Sequence, residues 1–477
     1  MINSSKTNQT YKERTTLMNI IQEALELIIK SYEENLQQAL EGKTSLSKFT
    51  KNLEQDLHRA GTMMVGEALE TLDKAVRESK ERKKNWHVER INQINSIATT
   101  MGPVTYQRTY YTHKRTKEYV FLSDELVGIA PHQRKDLNVG TLLVAKATHC
   151  SYQQTADQTS FTGINSRTTV MNAIRRLGAI PNEAVAIKKA KRDVPVIYIE
   201  ADEDHVSQQN GKSSIVKMIY VHEGKQAVSK NRNKLLNVRY FTAANQSSEE
   251  LWLDVARYID EAYNSEAIIK VIISGDGAPW IKEGLNWIEK SVYILDKFHL
   301  AKSVRVATAH MEYAREPLWH YINKGMKKAT VDLLDIIIRT TENENKRQEV
   351  QKVKKYILNN WGAIQRQKSK YNIGCSAEGH ISHVLSDRLS SRPKGWSKDG
   401  MEQMARLRIF DFNGGNICEY MIEQKEAQFH EKRIIKLDTR VVKKHLKTSH
   451  ETLDNLTALN IGKKNWSSML MKSVRGL

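Results

Sequence analysis

The strongest constraint on the fold lies between residues 194 and 300, where short β-branched runs and helical stretches follow one another in a fixed order. VPVIYIEAD (194–202), SSIVKMIYVHEG (213–224) and RYFTAAN (239–245) read as three successive strands. A helical pattern follows over 248–263. IIKVIISGDG (268–277) is then a fourth strand, with a helix from about Ala278, and SVYILD (291–296) is a fifth strand running into another helix. The order joins an antiparallel meander to βα units and predicts an α/β domain built on a mixed sheet.

That order is the one expected of a ribonuclease H-like core. Residues 310–372 are helical, polar and basic and carry no strand signal, so they are expected to be a helical insertion ahead of the core's last helix, SAEGHISHVLSDRLSS (376–391). With 477 residues the chain is long enough for two to four domains. The predicted division is a helical N-terminal region (1–100), a small β element with a helix-turn-helix-like DNA-binding region (101–190), the first part of the core (191–310), the insertion (311–372), the last core helix (373–400) and a basic C-terminal region (401–477).

The flanks carry weaker patterns. Leu17, Ile20, Ile21, Leu25, Leu27, Ile28 and Ile29 recur at helical spacing, and a second helical stretch is expected from about Ser45 to Ser96. Its charged run ESKERKKNW (78–86) reads first as a solvated helix face. Gly102 and Pro103 break the helix. Val104, Tyr106, Arg108 and Tyr110 then alternate with polar residues, which predicts a small hairpin or sheet. Its segment RTYYTHKRTK places Arg108, Lys114 and Arg115 as candidates for phosphate contact. Residues 138–178 return to helix. There SYQQTADQTSFTG and INSRTTVMNAIRRLG outline a helix-turn-helix, with Ser166 as a cap and Arg167 and Thr168 at the end that would meet bases.

Charge points to the same class of partner. The formal net charge is +19, and a surplus of that size favours a polyanion, because cations placed against phosphates release condensed counterions. Cys150, Cys375 and Cys418 are widely spaced and form no CxxC pair, which argues against a disulfide framework or a four-Cys zinc site and fits a reducing cytoplasm. The N-terminal residues lack the apolar core of a signal peptide, and no apolar run approaches the roughly 18 residues of a membrane span. A soluble cytoplasmic protein is expected.

Carboxylates gather where this fold would use them. Asp202 closes the first strand, Asp276 closes the fourth, and Glu378 lies at the start of the last core helix. Strand ends in such a sheet open onto a crevice. Acids from two neighbouring strands and a helix there can hold two hard cations, which clamp the attacking and leaving oxygens of a phosphodiester. The cluster EADED leaves Glu203 and Asp204 as rivals for the first acid, and strand alternation puts Asp202 and Asp204 on one face. Asp296 and His299, three apart at a helix start, share a face. His299 can meet a scissile phosphate or hydrogen-bond to an acid and orient it, and Asp296 alternatively serves as a helix cap.

In GPVTYQRTYY, FLSDELVG, YIEADEDHV, ISGDGAPWIKEG, YILDKFHLAK and GCSAEGHISHVLSDRLSSRPKGWS, taken in this order, the chain resembles the DDE-type transposases of bacterial insertion sequences, specifically the ISLre-type family. The resemblance runs over nearly the whole chain. It implies a ribonuclease H-like core interrupted by a helical insertion, with Asp202, Asp276 and Glu378 as metal-binding acids for two Mg²⁺ or Mn²⁺ ions. Asp296 and His299 match an Asp-x-x-His element of related transposases, His299 counting as catalytic and Asp296 and Asp204 as supporting. The expected reaction is hydrolysis at the ends of an insertion element followed by strand transfer into target DNA. The partners are double-stranded DNA and further copies of the chain, with Arg388 among the DNA contacts. A nuclease of the same fold that does not join ends, and a DNA-binding protein derived from a transposase, are the competing readings.

Overall fold

The computed structural model describes residues 3–187, 190–229, 232–392, 394–431, 437 and 439–454. The side chains of Leu17 and Ile21 in the first apolar repeat, and the basic tail beyond residue 454, lie outside the described residues. The described chain separates into two compact units. One draws on Met1–Ala147, Tyr152–Met171 and the stretch from Cys418 onward; the other comprises Thr148–Ser151 and Asn172–Ile417.

In the first unit two long helices, Asn3–Leu40 and Leu46–Glu78, pack along each other. Ser45 starts the second by accepting the Lys48 amide at 3.3 Å. The Ser31 hydroxyl donates to Asp56 at 2.6 Å between the two helices. The continuous helix expected as far as Ser96 ends much earlier. After a short helix Lys80–Asn85, residues Trp86–Thr99 form strand β1. This strand pairs antiparallel with β2 (Gly102–His113), and β3 (Tyr119–Val120) adds to the far side of β2. The β1–β2 register shifts between Val88 and Arg90 and again between Arg90 and Gln93, so the alternation that announces a strand is broken in the half of β1 nearest the charged run. Asp73 ties the second helix to this sheet, accepting the Thr109 amide at 2.9 Å, the Thr109 hydroxyl at 2.6 Å and the Ser123 hydroxyl at 3.0 Å.

The second unit contains the expected mixed five-stranded sheet. Its strands are β4 (Val196–Ser207), β5 (Ser213–His222), β8 (Arg239–Ala243), β9 (Lys270–Gly275) and β10 (Ser291–Leu295). Between β5 and β8 the chain makes a separate antiparallel hairpin, β6 (Lys225–Ser229) with β7 (Arg232–Leu235), which the sequence pattern did not suggest. The sheet order is β10-β9-β4-β5-β8. β4, first in the chain, is central; it runs parallel to β9 and antiparallel to β5, while β10 runs parallel to β9 and β8 antiparallel to β5.

The odd-numbered residues Ile197, Ile199 and Ala201 of β4 join a buried cluster with Ile219, Phe241, Trp252, Ile273 and Leu295. The helix Ser248–Ala262 covers this face, opened by a capping box between Ser247 and Glu250. Gly275 is the residue the packing demands at the end of β9: a Cβ there would lie 2.7 Å from Ile281 Cδ1 and 2.8 Å from the Ala201 carbonyl oxygen. The helical stretch between the fifth strand and the last core helix is built on Arg315–Lys324, Lys327–Thr340 and Glu344–Asn359. It is no loose appendage, since Leu318, Ile322, Leu334, Ile337, Val350 and Ile357 are buried in the same cluster. Arg366 and Gln367 then cover the open edge of β10, donating to the carbonyls of Tyr293 and Leu295, each at 2.8 Å.

The boundary expected at residue 400 falls inside this unit. The helix Lys398–Phe412 carries buried Met401, Met404, Leu407 and Ile409 and lies against β8. Glu402 accepts the amides of Ala244 at 2.7 Å and Asn245 at 2.9 Å, and Asn413 bonds both ways with the Tyr240 backbone. Arg408 donates to the Val384 carbonyl at 2.6 Å. Among the described residues no helix is long and apolar enough to cross a membrane.

Candidate metal centre

The pleat of β4 separates its residues into two sets. The odd positions enter the core; the even ones, Glu200, Asp202 and Asp204, put three buried carboxylates along the opposite face. Asp202 is 7% exposed, and its Oδ1 accepts the Glu203 amide at 2.9 Å. Asp276 follows directly on β9; its Oδ1 accepts the Ala278 amide at 2.8 Å, and Tyr356 donates to its carbonyl at 2.6 Å. Asp296 follows β10 and caps the helix Lys297–Thr308, its carboxylate receiving the Phe298 amide at 3.2 Å.

That cap aims a histidine. Nδ1 of His299 lies 2.9 Å from the other Asp296 oxygen, leaving Nε2 to face Glu378, whose Oε2 is 4.0 Å away. Glu378 projects from the first turn of Ala377–Ile381 and is 62% exposed. Asp202, His299 and Glu378 each offer a ligating atom within 4.8 Å of the others. Asp276 stands outside this tight set but acts on it electrostatically. With His299 it lines a cavity of about 270 Å³ that Lys302, Ser303, Val353 and Tyr356 also border.

Burial pushes the Asp202 carboxyl up to about 6, with repulsion from Asp276 and Glu378 adding to it, against the pull of the Glu203 amide and His299. The hydrogen bond that His299 donates to Asp296 raises its pKa, and the charges of Asp202, Asp296 and Asp276 raise it further, against its burial. Acids gathered in this way repel one another, and a divalent cation relieves that repulsion. Carboxylate oxygens are the donors that suit Mg²⁺ or Mn²⁺, and the Asp296 carboxylate fixes the orientation of the His299 ring beside them. Of the three acids expected to hold metal, Asp202 and Glu378 lie in the tight set, while Asp276 borders the cavity beside it.

The rivals for the first acid point elsewhere. Asp204 accepts the Ser390 hydroxyl at 2.8 Å, while Glu203 lies on the other face and accepts Trp280 Nε1 at 2.7 Å. Two of the expected DNA contacts are corrected by their surroundings. Arg108 is 17% exposed, paired with the buried Asp124 and laid over the Phe121 ring at 3.5 Å, so its guanidinium is committed inside the first unit. Arg388 is 3% exposed and stacks over Trp396 at 5.0 Å. In both cases an arginine beside aromatics, read as a phosphate grip, serves packing instead. Lys114 donates to the Lys83 carbonyl at 2.7 Å, and Arg115 is exposed. Arg167 and Thr168 are exposed at the start of Arg167–Leu177, where the Ser166 hydroxyl accepts the Thr168 amide at 3.2 Å.

The sequence reading passed over Glu200. Its carboxylate is 2% exposed and receives the Tyr220 hydroxyl, the Ser376 amide, the Ser376 hydroxyl at 3.1 Å and His222 Nε2 at 3.1 Å. These partners hold it near 2 despite its burial. His380 joins the same layer: its ring stacks on Tyr220 at 4.6 Å, and its Nδ1 is 2.7 Å from the Tyr240 hydroxyl. A glutamate in mid-strand, in phase with Asp202, was the available signal. The helix beyond Glu378 also widens into a π-helical turn over Ser382–Ser386 before closing as Asp387–Leu389.

The profile of the family described as "Uncharacterised protein family (UPF0236)" matches residues 40–426. A UPF0236 protein of Caldanaerobacter subterraneus subsp. tengcongensis is 39% identical over 422 residues, covering 88% of this chain and 89% of the relative. Another from that organism, whose name joins eleven locus labels, is 39% identical over 429 residues, covering 88% of this chain and 89% of its own. A UPF0236 protein of Streptococcus gallolyticus, named for its position in the vanSb 3′ region, is 25% identical over 383 residues, 77% of this chain and 83% of the relative.

Proposed function

This chain belongs to the family UPF0236, and from its geometry we propose that it is a metal-dependent DNA transposase of the DDE type, built on a ribonuclease H-like core. The convergence of Asp202, His299 and Glu378 from three separate elements, with Asp276 beside them, carries the reading. The strand order supports it: numbered by appearance, the five strands lie third, second, first, fourth, fifth, with the first central, Asp202 within it two residues past its pairing with β9, and Asp276 directly after β9. The name that joins eleven loci of one organism also supports it, because repeated insertion of a mobile element leaves one sequence at many loci.

Asp202, Asp276 and Glu378 would hold two Mg²⁺ or Mn²⁺ ions. When bound, such a pair supplies Lewis-acid polarisation of the scissile phosphate and a water acidic enough to attack at neutral pH. The chain's own residues do the rest. Asp202 would meet the ions as a carboxylate. His299, biased toward its charged form by Asp296, presents Nε2 to the phosphate, and Lys302 lends a further positive charge in the cavity. The 3′ hydroxyl freed by hydrolysis would then take the position of the attacking water and attack a target phosphodiester, bonding to its phosphorus while the target's 3′ oxygen leaves as a new hydroxyl. The surplus of +19 charges holds the DNA duplexes, and pairing two element ends calls for at least two copies of the chain.

The test is a labelled duplex carrying the DNA that flanks this gene, incubated with the full-length protein and Mg²⁺ or Mn²⁺. Cutting and joining that Asp202→Asn abolishes is the expected result. Cutting without joining would convert the reading to a nuclease, and binding without cutting to a transposase-derived DNA-binding protein.

A further inference from the structure

The acids flanking Asp202 on its face of β4 both attach to the segment that carries Glu378. Glu200 receives the amide and the hydroxyl of Ser376, the residue that opens the helix two positions before Glu378. Asp204 receives the Ser390 hydroxyl at 2.8 Å, beyond the other end of that helix, and Ser386 hydrogen-bonds to it as well. The spans agree. Four strand residues from Glu200 to Asp204 cover about 13 Å, and ten helical residues from Ser376 to Ser386 cover about 15 Å. The π-helical turn lies within that interval. Ala377, Ile381, Val384 and Leu385 are buried along the helix, so packing supplies adhesion, but apolar contact alone leaves sliding and rotation weakly determined. Directed hydrogen bonds at both ends remove that freedom.

We propose that Glu200 and Asp204 are positioning residues that clamp the two ends of the 376–390 segment onto β4, so that Glu378 meets Asp202 and His299. The inference rests on the metal-centre reading. Glu200 is the stronger clamp. It is almost wholly buried and is itself held by Tyr220 and His222 from the neighbouring strand β5, so the position of the Ser376 amide is referred to the sheet and not to a loop. Neither residue belongs to the set that brings its ligating atoms together. Each acts through Glu378, in the way that hydrogen-bonded partners orient metal ligands elsewhere.

The experiment measures Mn²⁺ binding by titration calorimetry to the full-length chain, without DNA. Glu378→Gln defines the loss that follows when the ligand itself is removed. Glu200→Gln and Asp204→Asn are each expected to weaken Mn²⁺ binding by about tenfold. Combined with Glu378→Gln, neither should weaken it further, because each works only through that side chain. Wild-type affinity in both folded single variants would overturn the proposal, as would an equal additional loss in the Glu378→Gln background. If Glu200→Gln does not fold, Ser376→Ala takes its place, with about a threefold loss expected and wild-type affinity overturning the clamp. If the wild-type chain binds Mn²⁺ no better than Glu378→Gln, the metal centre itself falls and the clamp with it. Normal wild-type binding with unaffected clamp variants overturns the clamp alone.

Discussion

His299 Nε2 stands 4.0 Å from Glu378 Oε2, while its Nδ1 is held 2.9 Å from Asp296. The imidazole is thus oriented by one acid and turned toward another, so its role depends on what lies between it and Glu378. If a cation lies there, removing Asp296 should weaken binding without removing a ligand. Asp296→Asn is expected to lower Mn²⁺ affinity by about tenfold, read by the same calorimetric titration; an unchanged affinity would detach the pair from the metal.

Asp276→Asn should abolish cleavage and joining while leaving DNA affinity nearly unchanged. The amide keeps the side chain's shape but loses the charge that repels Asp202 and would hold an ion. The check is a paired measurement, end joining by gel and DNA binding by anisotropy. Joining at the wild-type rate would remove Asp276 from the site.

The metal-free protein should lose stability as pH rises from about 4 to 6. Asp202 has its folded pKa raised to about 6 from its ordinary 3.8, so the folded state holds the proton over that interval and the unfolded state does not. The contribution is fully present below the unfolded value and is lost as pH rises through the folded one. It is worth up to about 3 kcal/mol for a two-unit shift. His299, also raised, acts in the same direction at higher pH. Asp202→Asn should therefore raise the melting temperature at pH 7 and change it little at pH 4. Mn²⁺ should bind more tightly as pH rises through 6.

DNA binding should fall steeply with salt, by a thousandfold or more between about 50 and 200 mM if six to ten phosphates are contacted. Within that binding, changing Arg167 and Thr168 to Ala should reduce preference for the element's ends more than general affinity, because both are exposed at a helix start. Equal loss on both DNAs in an anisotropy titration would argue against a recognition helix.

Arg108→Ala is expected to unfold the first unit more easily and not to weaken DNA binding in the folded protein. It leaves the buried Asp124 with Tyr106 at 2.8 Å but without its charge partner, a loss of about 3 kcal/mol. Thermal melting and DNA titration of the same variant separate the two effects.

The sheet was legible because its strands are β-branched and bounded by Gly, Asp or Pro, so local pattern and tertiary role agree. β1 was not, because its signal depends on pairing with β2 through register shifts that erase alternation. The β6–β7 hairpin was missed for a related reason: its residues are mostly exposed, and an exposed ribbon has no apolar phase to read. At the site, His299 and Glu378 could be named from helix starts and Asp202 from the acids of EADED, although β4 does not end at Asp202 as expected but runs on to Ser207 because its pairing with β5 continues. The burial of Arg108 and Arg388 could not, since an arginine stacked on an aromatic ring and one gripping phosphate have the same composition around them. Glu200 escaped because its partners, Ser376 and His222, come from elements that only folding brings together.

The helices packed between β10 and the Glu378 segment have a consequence for the order in which the proposed centre is assembled during synthesis. A ribosome adding about 5–20 residues per second releases the strands bearing Asp202 and Asp276 several seconds before Glu378. Glu378 in turn is held by a segment that leans on Arg408, still further along. A nascent or prematurely terminated chain can thus display a folded sheet and basic surface yet lack the donor set. Under the proposed function, synthesis order would act as a safety catch: translation must pass the helix Lys398–Phe412 before the segment that carries Glu378 is secured in place.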